Sequence, residues 1–401
     1  MMADLEQEPA SPARLRALGV GLGVGALALL AYAGQIAETG PGSAVPGIGS
    51  LGPAAIGRLM VAQIDDKGRV PAGLDRLGRD ALASAPLAYE PFFAVATRGF
   101  LKPTDTGSAE DAHLLREALR RNPRSREARY FMLRHELGTA NLAGAVDQIA
   151  VLNRLNGGVT ERLMPALGAA IQSERQVLEA VGALKAHPEL LEPFVNGFAK
   201  AEKPAALRVK LVQALPRSSF ANEGLRTESV RLLIGAQAFA QARALWGSDT
   251  GGKGLVHSPD FSDRKASPPF NWELKASSTG VAEYDPTGGV AVDYFGRAPG
   301  PLLTQLLTLS PGSYQARIQY RTTGGSPGAL GVQMECAGTG VVIVNQPLSG
   351  QSGTERALLV SFTVPQGCGG QLLAVAGRAQ ESRDPQQAVI RKVEISAGGG
   401  S

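Results

Sequence analysis

The chain carries two hydrophobic patterns, which divide it into a helical part and a strand part. Between residues 57 and 248, apolar residues recur at spacings of three and four within short segments that Pro, Gly or Asp separate. This spacing places apolar side chains on one face of an α-helix. Because short helices repeated in this way stack as antiparallel pairs, the pattern predicts an irregular α-solenoid over 57–248.

The strand part follows a predicted connecting loop at residues 249–267. Apolar and polar residues alternate there in short segments bounded by turn residues, which is typical of half-buried strands. The predicted strands are FNWELK, GVAVDYF, LLTQLLTL, SYQARIQYRTT, ALGVQMEC, ERALLVSFTV, QLLAVAGRA and VIRKVEIS. Strands at this spacing favour an antiparallel β-sandwich over residues 268–397.

The first predicted strand contains Trp272, one of only two tryptophans in the chain. In an extended strand Phe270, Trp272 and Leu274 point to one face, and the intervening polar residues point to the other. We expect Trp272 to be part of the sandwich core, with stacking on a ligand as the alternative.

The N-terminal region predicts attachment to a membrane. Residues 17–34 are uncharged and follow Arg14 and Arg16. Their number is close to the lower limit of roughly 17–25 residues for a membrane-spanning helix, and positive charge before the span keeps that side in the cytoplasm. The sequence therefore predicts a cytoplasmic tail at 1–16, an anchor at 17–37 and a Gly/Pro linker at 38–56. The alternative is a signal peptide cleaved after Ala33.

Cys336 and Cys368 are the only cysteines. An exported chain meets an oxidising compartment, so we expect one disulfide between them. The pair lacks CxxC spacing and has no histidine nearby, so neither a metal site nor a cofactor is predicted.

Composition and motifs argue against two functional classes. A formal net charge of +4 over 401 residues is too small to indicate a nucleic-acid partner. The four histidines are scattered, and the sequence has no nucleophile elbow, metalloprotease motif or phosphate-binding lysine motif. The glycine spacing of GVGLGVG is similar to that of a phosphate-binding loop, but this stretch lies inside the predicted membrane segment. We therefore predict that the chain is not an enzyme, although a hydrolase site assembled from distant residues stays open.

Residues 108–152 resemble the tetratricopeptide repeat, a pair of helices. The matching positions are Ala118, Leu119, Asn122, Pro123, Ala128, Tyr130, Leu133, Gly138, Leu142, Ala145 and Ile149. A weaker match follows at residues 232–246. The tryptophan expected in the first helix is missing, so the resemblance implies an irregular superhelix.

The strand part resembles jelly-roll modules of the galactose-binding and carbohydrate-binding kind. The matching residues are Phe270, Trp272, Gln305, Leu307, Leu309, Pro311, Gly312, Tyr314, Cys336, Phe362, Pro365 and Cys368. The resemblance implies a jelly-roll β-sandwich, but it is weak evidence for any particular ligand, because a fold does not set a function.

A group of arginines lies on the predicted helices of the tetratricopeptide-like region. Arg116, Arg120, Arg124 and Arg129 are its candidate partner-binding members. Guanidinium groups on adjacent helices can bind an acidic polysaccharide, lipid headgroups or an acidic protein. The alternative is a solvated helix face held by salt bridges.

Two predicted strands carry candidate ligand-binding residues on their polar faces. Arg317, Gln319 and Arg321 alternate along one strand, and Gln333 and Glu335 along the next. If both strands lie in one sheet, these side chains form a ladder that can bond sugar hydroxyls. Simple solvated strands are the alternative.

The predicted fold class is multidomain α plus β: a transmembrane helix, a tetratricopeptide-like solenoid and an antiparallel jelly-roll sandwich. This arrangement resembles uncharacterised repeat proteins of Gram-negative envelopes, some associated with surface polysaccharide assembly or export. We predict a single-pass inner-membrane protein, mostly periplasmic, that acts as a non-enzymatic scaffold: it binds envelope proteins through the helical repeats and contacts polysaccharide through the sandwich. The alternative function is carbohydrate binding through the sandwich.

Overall fold

The computed structural model describes residues 86–100, 105–247, 254–378 and 385–398, together with the single residues 79, 82 and 83. The predicted tail, anchor and linker lie outside these residues, as does the first part of the predicted solenoid, 57–78. Among the described residues, no helix is long and apolar enough to cross a membrane. The chain divides into two compact units, Met1–Glu228 and Ser229–Ser401.

Helices account for most of the described part of the first unit and for the start of the second. In chain order they are α1 (Glu90–Thr97), α2 (Ala109–Arg121), α3 (Arg126–Gly138), α4 (Leu142–Leu155), α5 (Thr160–Ala170), α6 (Glu174–Leu184), α7 (Leu191–Ala199), α8 (Ala205–Ala214), α9 (Glu223–Gly235) and α10 (Phe239–Trp246). The division between the units falls within α9, so α10 belongs to the second unit.

Side-chain caps fix where the helices begin. Ser108 and Asp111 form a capping box at α2: the Asp111 N–H donates to Ser108 Oγ at 3.1 Å, and the Ser108 N–H donates to Asp111 Oδ2 at 2.8 Å. Ser125 caps α3 and Asn141 caps α4 in a similar way. Each cap pairs a backbone donor that the helix leaves without a partner.

The helices pack around a core of small and aliphatic side chains. Ala118, Ala128, Leu142 and Ala145, four of the positions shared with the tetratricopeptide repeat, are fully buried. Helix α4 packs on α6, α5 on α7 and α6 on α8. The prediction of successive short helices is confirmed for the described residues, whereas the tetratricopeptide assignment stays a prediction.

The second unit contains two antiparallel sheets. The strands are β1 (Glu273–Leu274), β2 (Gly280–Tyr284), β3 (Val290–Tyr294), β4 (Gly300–Leu307), β5 (Gly312–Gly325), β6 (Leu330–Cys336), β7 (Val342–Pro347), β8 (Glu355–Val364), β9 (Gln371–Gly377) and β10 (Gln386–Ala397). Sheet A has the order β1-β4-β9-β6-β7, and sheet B has the order β2-β3-β10-β5-β8. Inward side chains of both sheets share one hydrophobic core, which confirms the sandwich. The jelly-roll assignment stays a prediction.

The strand prediction was wrong in two respects. It missed β2 and β7, and it made the first strand too long, since only Glu273 and Leu274 pair with β4. Trp272 and Phe270 precede that strand and are buried, which confirms the core role of Trp272. Asn271 is buried as well, because its amide donates to the carbonyl oxygens of Asp263 at 3.0 Å and Ala266 at 2.7 Å.

Helix α10 packs against one end of the sandwich, within the second unit. Its Trp246 ring lies 5.7 Å from the Phe270 ring, between centroids. Phe239 lies against Gly370, where an added Cβ would come within 2.6 Å of the Phe239 ring. The predicted disulfide between Cys336 and Cys368 is present at this end and joins the end of β6 to the β8–β9 connection.

Candidate functional site

The opposite end of the sandwich is formed by loops, and we call it the loop end. Gln386 at the start of β10 pairs with Tyr294 at the end of β3 and with Gly325 at the end of β5. In sheet A, Gly331 at the start of β6 pairs with Pro347 at the end of β7. The connections β3–β4, β5–β6 and β7–β8 therefore meet at this end.

An open cleft of about 480 Å³ lies at the loop end. Its lining consists of small and polar residues: Thr322, Gly324, Gly325, Pro327, Gly350, Gln351, Ser352, Arg356 and Gln386. These residues offer hydroxyl, amide and guanidinium groups together with glycine backbone. None of the described residues that line the cleft carries a carboxylate or an aromatic ring.

The cleft forms because β5 extends past the beginning of β8. The last β5–β8 pair is Arg321 with Glu355, and β5 continues to Gly325. Residues 348–354 run along the edge of this last part of β5 that β8 leaves uncovered, and they are held there by hydrogen bonds. The Gly353 N–H donates to the Thr322 carbonyl at 2.7 Å, and the Tyr320 hydroxyl donates to the Ser349 carbonyl at 2.6 Å.

Gln386 fixes the floor of the cleft from inside the sandwich. Its side chain is buried, its Oε1 accepts a hydrogen bond from the Leu330 N–H at 2.6 Å, and its Nε2 donates to the Leu348 carbonyl at 3.2 Å. A single amide thus pairs one backbone group beside the β5–β6 loop and one at the start of the β7–β8 loop. Buried polar groups held in this way give a loop a defined position.

Arg356 places a positive charge in the cleft. It pairs across the strands with Tyr320, whose side chain faces the core, so both point to the inner side of sheet B. Unlike Tyr320, Arg356 is exposed, and its guanidinium lies beside Gly350 of the β7–β8 loop. Gly350 has a φ of +138°, which favours glycine, and its Cα lies against the Arg356 side chain, where an added Cβ would displace the guanidinium.

The cleft side chains are available for a ligand. Within the described part of the chain, the guanidinium of Arg356 makes no hydrogen bond or ion pair, and the same holds for the side chains of Gln351 and Ser352. The Gln351 carbonyl, in contrast, accepts a hydrogen bond from Thr322 Oγ1 at 3.3 Å. The loop backbone is therefore paired, whereas its longer polar side chains are not.

The predicted ladder of polar side chains across β5 and β6 does not form. Strand β5 belongs to sheet B and β6 to sheet A. Arg317, Gln319 and Arg321 consequently lie on the outer face of sheet B, and Gln333 and Glu335 lie on the outer face of sheet A. The alternation along each strand was predicted correctly, since Ala316, Ile318, Tyr320, Val332 and Met334 are buried. The ladder required both strands to lie in one sheet, and this requirement is not met.

The candidate arginines of the helical unit differ in whether their side chains are paired with other groups of the protein. Arg120 Nη2 lies 3.0 Å from Glu117 Oε2, and Arg121 binds the same carboxylate. These contacts, above all the hydrogen bond from Arg121, hold the pKa of Glu117 below its ordinary value. Arg129 donates to the Pro123 carbonyl at 2.8 Å and to Gln148 Oε1 at 2.9 Å.

Arg116 and Arg124 differ from these residues. Neither guanidinium makes a hydrogen bond or ion pair with another described residue. The structure therefore does not bring the four candidate arginines into one unpaired patch. Among the described residues, no group of three or more His, Cys, Asp or Glu side chains is arranged to hold a metal ion.

Sequence reasoning missed the residues of the cleft. Arg356 falls near the start of a correctly predicted strand, and Gln386 lies outside any predicted strand. The available signal was local: the segments GGSPG and SGQSG combine glycine with small polar residues between strands, which indicates turns that can approach a ligand.

No protein-family model matches the chain, and no curated protein matches it. Among solved structures, TmCBM61 in complex with β-1,4-galactotriose is 13% identical, covers 37% of this chain and 100% of its own length, and has a TM-score of 0.26. A carbohydrate-binding module of Cellvibrio mixtus lichenase 5A, in complex with cellotriose, is 16% identical and covers 31% of this chain and 92% of its own, with a TM-score of 0.23. The second N-terminal cellulose-binding domain of Cellulomonas fimi β-1,4-glucanase C is 16% identical and covers 38% and 99%, with a TM-score of 0.26.

Proposed function

We propose that this chain is a carbohydrate-binding protein that holds a glycan in the cleft at the loop end of its β-sandwich. The observation that carries the proposal is the lining of that cleft, in which amides, hydroxyls and one guanidinium surround about 480 Å³ of open space. This volume falls within the range of about 300–1,000 Å³ for ligand sites, and it accommodates a short stretch of sugar units.

The lining matches the chemistry of a sugar. A sugar ring presents hydroxyl groups that both donate and accept hydrogen bonds. The Gln351 amide and the Ser352 hydroxyl also do both, the Thr322 hydroxyl, which already donates to the Gln351 carbonyl, can accept, and a guanidinium donates in pairs. Gly324 carries no side chain, and a Cβ there would come no closer than 3.8 Å to Gln387 Oε1, so a polar ligand can approach this part of the backbone closely.

The proposal also includes a periplasmic location and a role without catalysis. A disulfide supports an oxidising compartment, in agreement with a periplasmic domain that residues 17–37 attach to the inner membrane. We infer a binding role without catalysis, in which the helical unit positions the sandwich. Of the four candidate arginines, Arg120 and Arg129 are used within the helical unit, so the scaffold function that the sequence favoured has less support than glycan binding, which was its alternative.

The test measures retention of the purified full chain on a panel of immobilised bacterial polysaccharides. The cleft variant is Gln351→Ala combined with Ser352→Ala, and the control variant is Arg317→Ala, which changes an exposed arginine on the outer face of sheet B. We expect at least one polymer to retain the unchanged chain, and the cleft variant to bind about tenfold more weakly, as the loss of one or two hydrogen bonds implies. The control should bind normally.

Two results would contradict the proposal. Absence of retention on every polymer would leave the sandwich without glycan binding. Loss of retention in Arg317→Ala but not in the cleft variant would move the site to the outer face of sheet B. Thermal unfolding of all three proteins checks that the folds are equally stable.

A further inference from the structure

We infer that the glycan held in this cleft is acidic and that Arg356 binds a carboxylate of a uronic acid unit, an inference that rests on the proposed function of the cleft. Arg356 is the only charged residue among those that line it. Its positive charge must be balanced either by a carboxylate of the protein or by the ligand.

No carboxylate of the described residues neutralises Arg356. The nearest acidic residue along the chain is Glu355, which pairs with Arg321 on the outer side of sheet B. Glu355 is already engaged, because its Oε1 lies 3.4 Å from Arg391 Nε. Successive residues of a strand point to opposite faces, so Glu355 and Arg356 are directed away from each other.

Other arginines add positive charge at the loop end. Arg297 follows β3, and Arg378 follows β9, where its Nη1 lies 3.5 Å from the Gly328 carbonyl. Asp293 is the acidic residue at the end of β3, and it lies on the outer side, opposite Gln387 and Val281. Among the described residues, the inner part of the loop end therefore favours an anion.

A carboxylate fits this site better than a neutral sugar. A guanidinium donates two parallel hydrogen bonds to the two oxygens of a carboxylate, and such charge-assisted pairs are roughly twice as strong as neutral ones. Aromatic rings, which bind the apolar face of neutral sugars by stacking, are missing from the described lining. Binding must then come from polar contacts, among which the Arg356 pair is the strongest.

The experiment compares matched polymers on the full chain. Polygalacturonate is measured beside the same polymer after reduction of its carboxyl groups, and dextran sulfate serves as a polyanion without carboxylates. The variants are Arg356→Gln, which removes the charge, Arg356→Lys, which keeps the charge but loses the paired donors, and Arg317→Gln as a surface control. Affinities are measured at low and physiological salt, because non-specific ion exchange weakens steeply with salt.

We expect the unchanged chain to prefer polygalacturonate over the reduced polymer by about 10- to 100-fold, the range for a hydrogen-bonded charge pair. Arg356→Gln should abolish this preference while retaining the weaker affinity for the reduced polymer. Arg356→Lys should keep only part of the preference, and Arg317→Gln should keep all of it.

The other outcomes separate the two proposals. Equal binding of both polymers, with no effect of Arg356→Gln, overturns the acidic ligand and leaves glycan binding intact. Binding of dextran sulfate as tight as that of polygalacturonate would show general ion exchange. An equal loss of the preference in Arg317→Gln and in Arg356→Gln would show the same. Either result also overturns the inference of an acidic ligand. Binding to none of these polymers, nor to any member of the polysaccharide panel, overturns the function itself.

Discussion

Trp246 and Ser267 are joined by a hydrogen bond of 2.7 Å, from the indole Nε1 to the Ser267 carbonyl oxygen. This contact attaches the end of α10 to the segment that leads into β1. The same indole packs against Phe270, and the guanidinium of Arg243 lies 4.7 Å from the centroid of the Trp246 ring. The helix is thus an integral part of the sandwich unit.

Replacing Trp246 should destabilise that unit. We expect Trp246→Ala to lower the free energy of unfolding by about 3–5 kcal/mol, the cost of removing a large buried aromatic side chain. Trp246→Phe should cost about 1–2 kcal/mol, because it mainly leaves the Ser267 carbonyl without its donor. Urea unfolding followed by near-UV circular dichroism measures both changes.

A control for this prediction is Leu178→Ala, in the first unit, whose side chain is half exposed. It should change stability by less than about 0.5 kcal/mol. An effect of Trp246→Ala no larger than that of Leu178→Ala would contradict the role of the indole.

Two buried glutamines provide a matched pair at opposite ends of the sandwich. Gln386 serves the loop end, as described above. At the α10 end, Gln371 Oε1 accepts from the Leu309 N–H at 2.8 Å, and its Nε2 donates to the carbonyls of Cys368 at 2.7 Å and Leu309 at 3.2 Å.

Substitution of either glutamine by leucine should destabilise the second unit. Each buried backbone group left without a partner costs about 1–3 kcal/mol. Only Gln386→Leu should also weaken glycan retention, since only Gln386 holds the cleft loops. Retention assays on both variants, with urea unfolding, separate the two effects. Equal loss of retention in Gln371→Leu would indicate that global stability, and not cleft geometry, governs binding.

Removing the disulfide should lower stability without altering the cleft. Cys336 and Cys368 are 32 residues apart, and closing a loop of that length stabilises a fold by about 3–4 kcal/mol in the chain-entropy model. We expect the double variant Cys336→Ala, Cys368→Ala to unfold at lower urea concentration and to retain glycan when folded. Thiol labelling of the denatured, unreduced chain should find no free cysteine. Labelling of both residues would contradict the bond.

Stability should depend on the ionisation of Asp263. Hydrogen bonds from the backbone N–H groups of Ala266 and Lys265, and then from His257, hold its pKa below the ordinary value. The folded state therefore binds this proton less tightly than the unfolded state does. The resulting stabilisation is present above the unfolded pKa and is lost as the pH falls through the folded pKa.

Asp263→Ala tests this dependence. The variant should be less stable than the unchanged chain at neutral pH, and the difference should shrink as the pH falls below about 4, the ordinary pKa of an aspartate. Urea unfolding at a series of pH values measures it. A difference that is constant with pH would show that the carboxylate charge contributes nothing.

Local patterns predicted the elements but not their assembly. Alternation along β5 correctly assigned Ile318 and Tyr320 to the core, because the two faces of a strand differ in burial. Alternation does not say which sheet a strand joins. Strands β5 and β6 are consecutive in the chain but belong to different sheets, so Arg317 and Gln333 lie on opposite outer faces.

The cleft depends on tertiary structure in the same way. Arg356 reaches it because β5 is longer than its pairing with β8, and strand lengths in a sheet are set by partners that a single sequence does not reveal. The segment of Asn271 shows a second limit. A polar residue was assigned outward, but its amide caps nearby carbonyl oxygens and is therefore buried. Hydrogen bonds to the preceding loop thus override the alternating pattern of the strand.

The sheets and the loops of the sandwich have separate roles, and this separation has an evolutionary consequence. The side chains that face the cleft from residues 348–354 make no contact that the sheets need, whereas the amide of Gln386 keeps the loop backbone in position. Under the proposed function, substitutions at Gln351 and Ser352 alter ligand preference at little cost to folding. Ligand preference within a lineage would then diverge faster than the fold, and Gln386 is the residue at which both would be lost together.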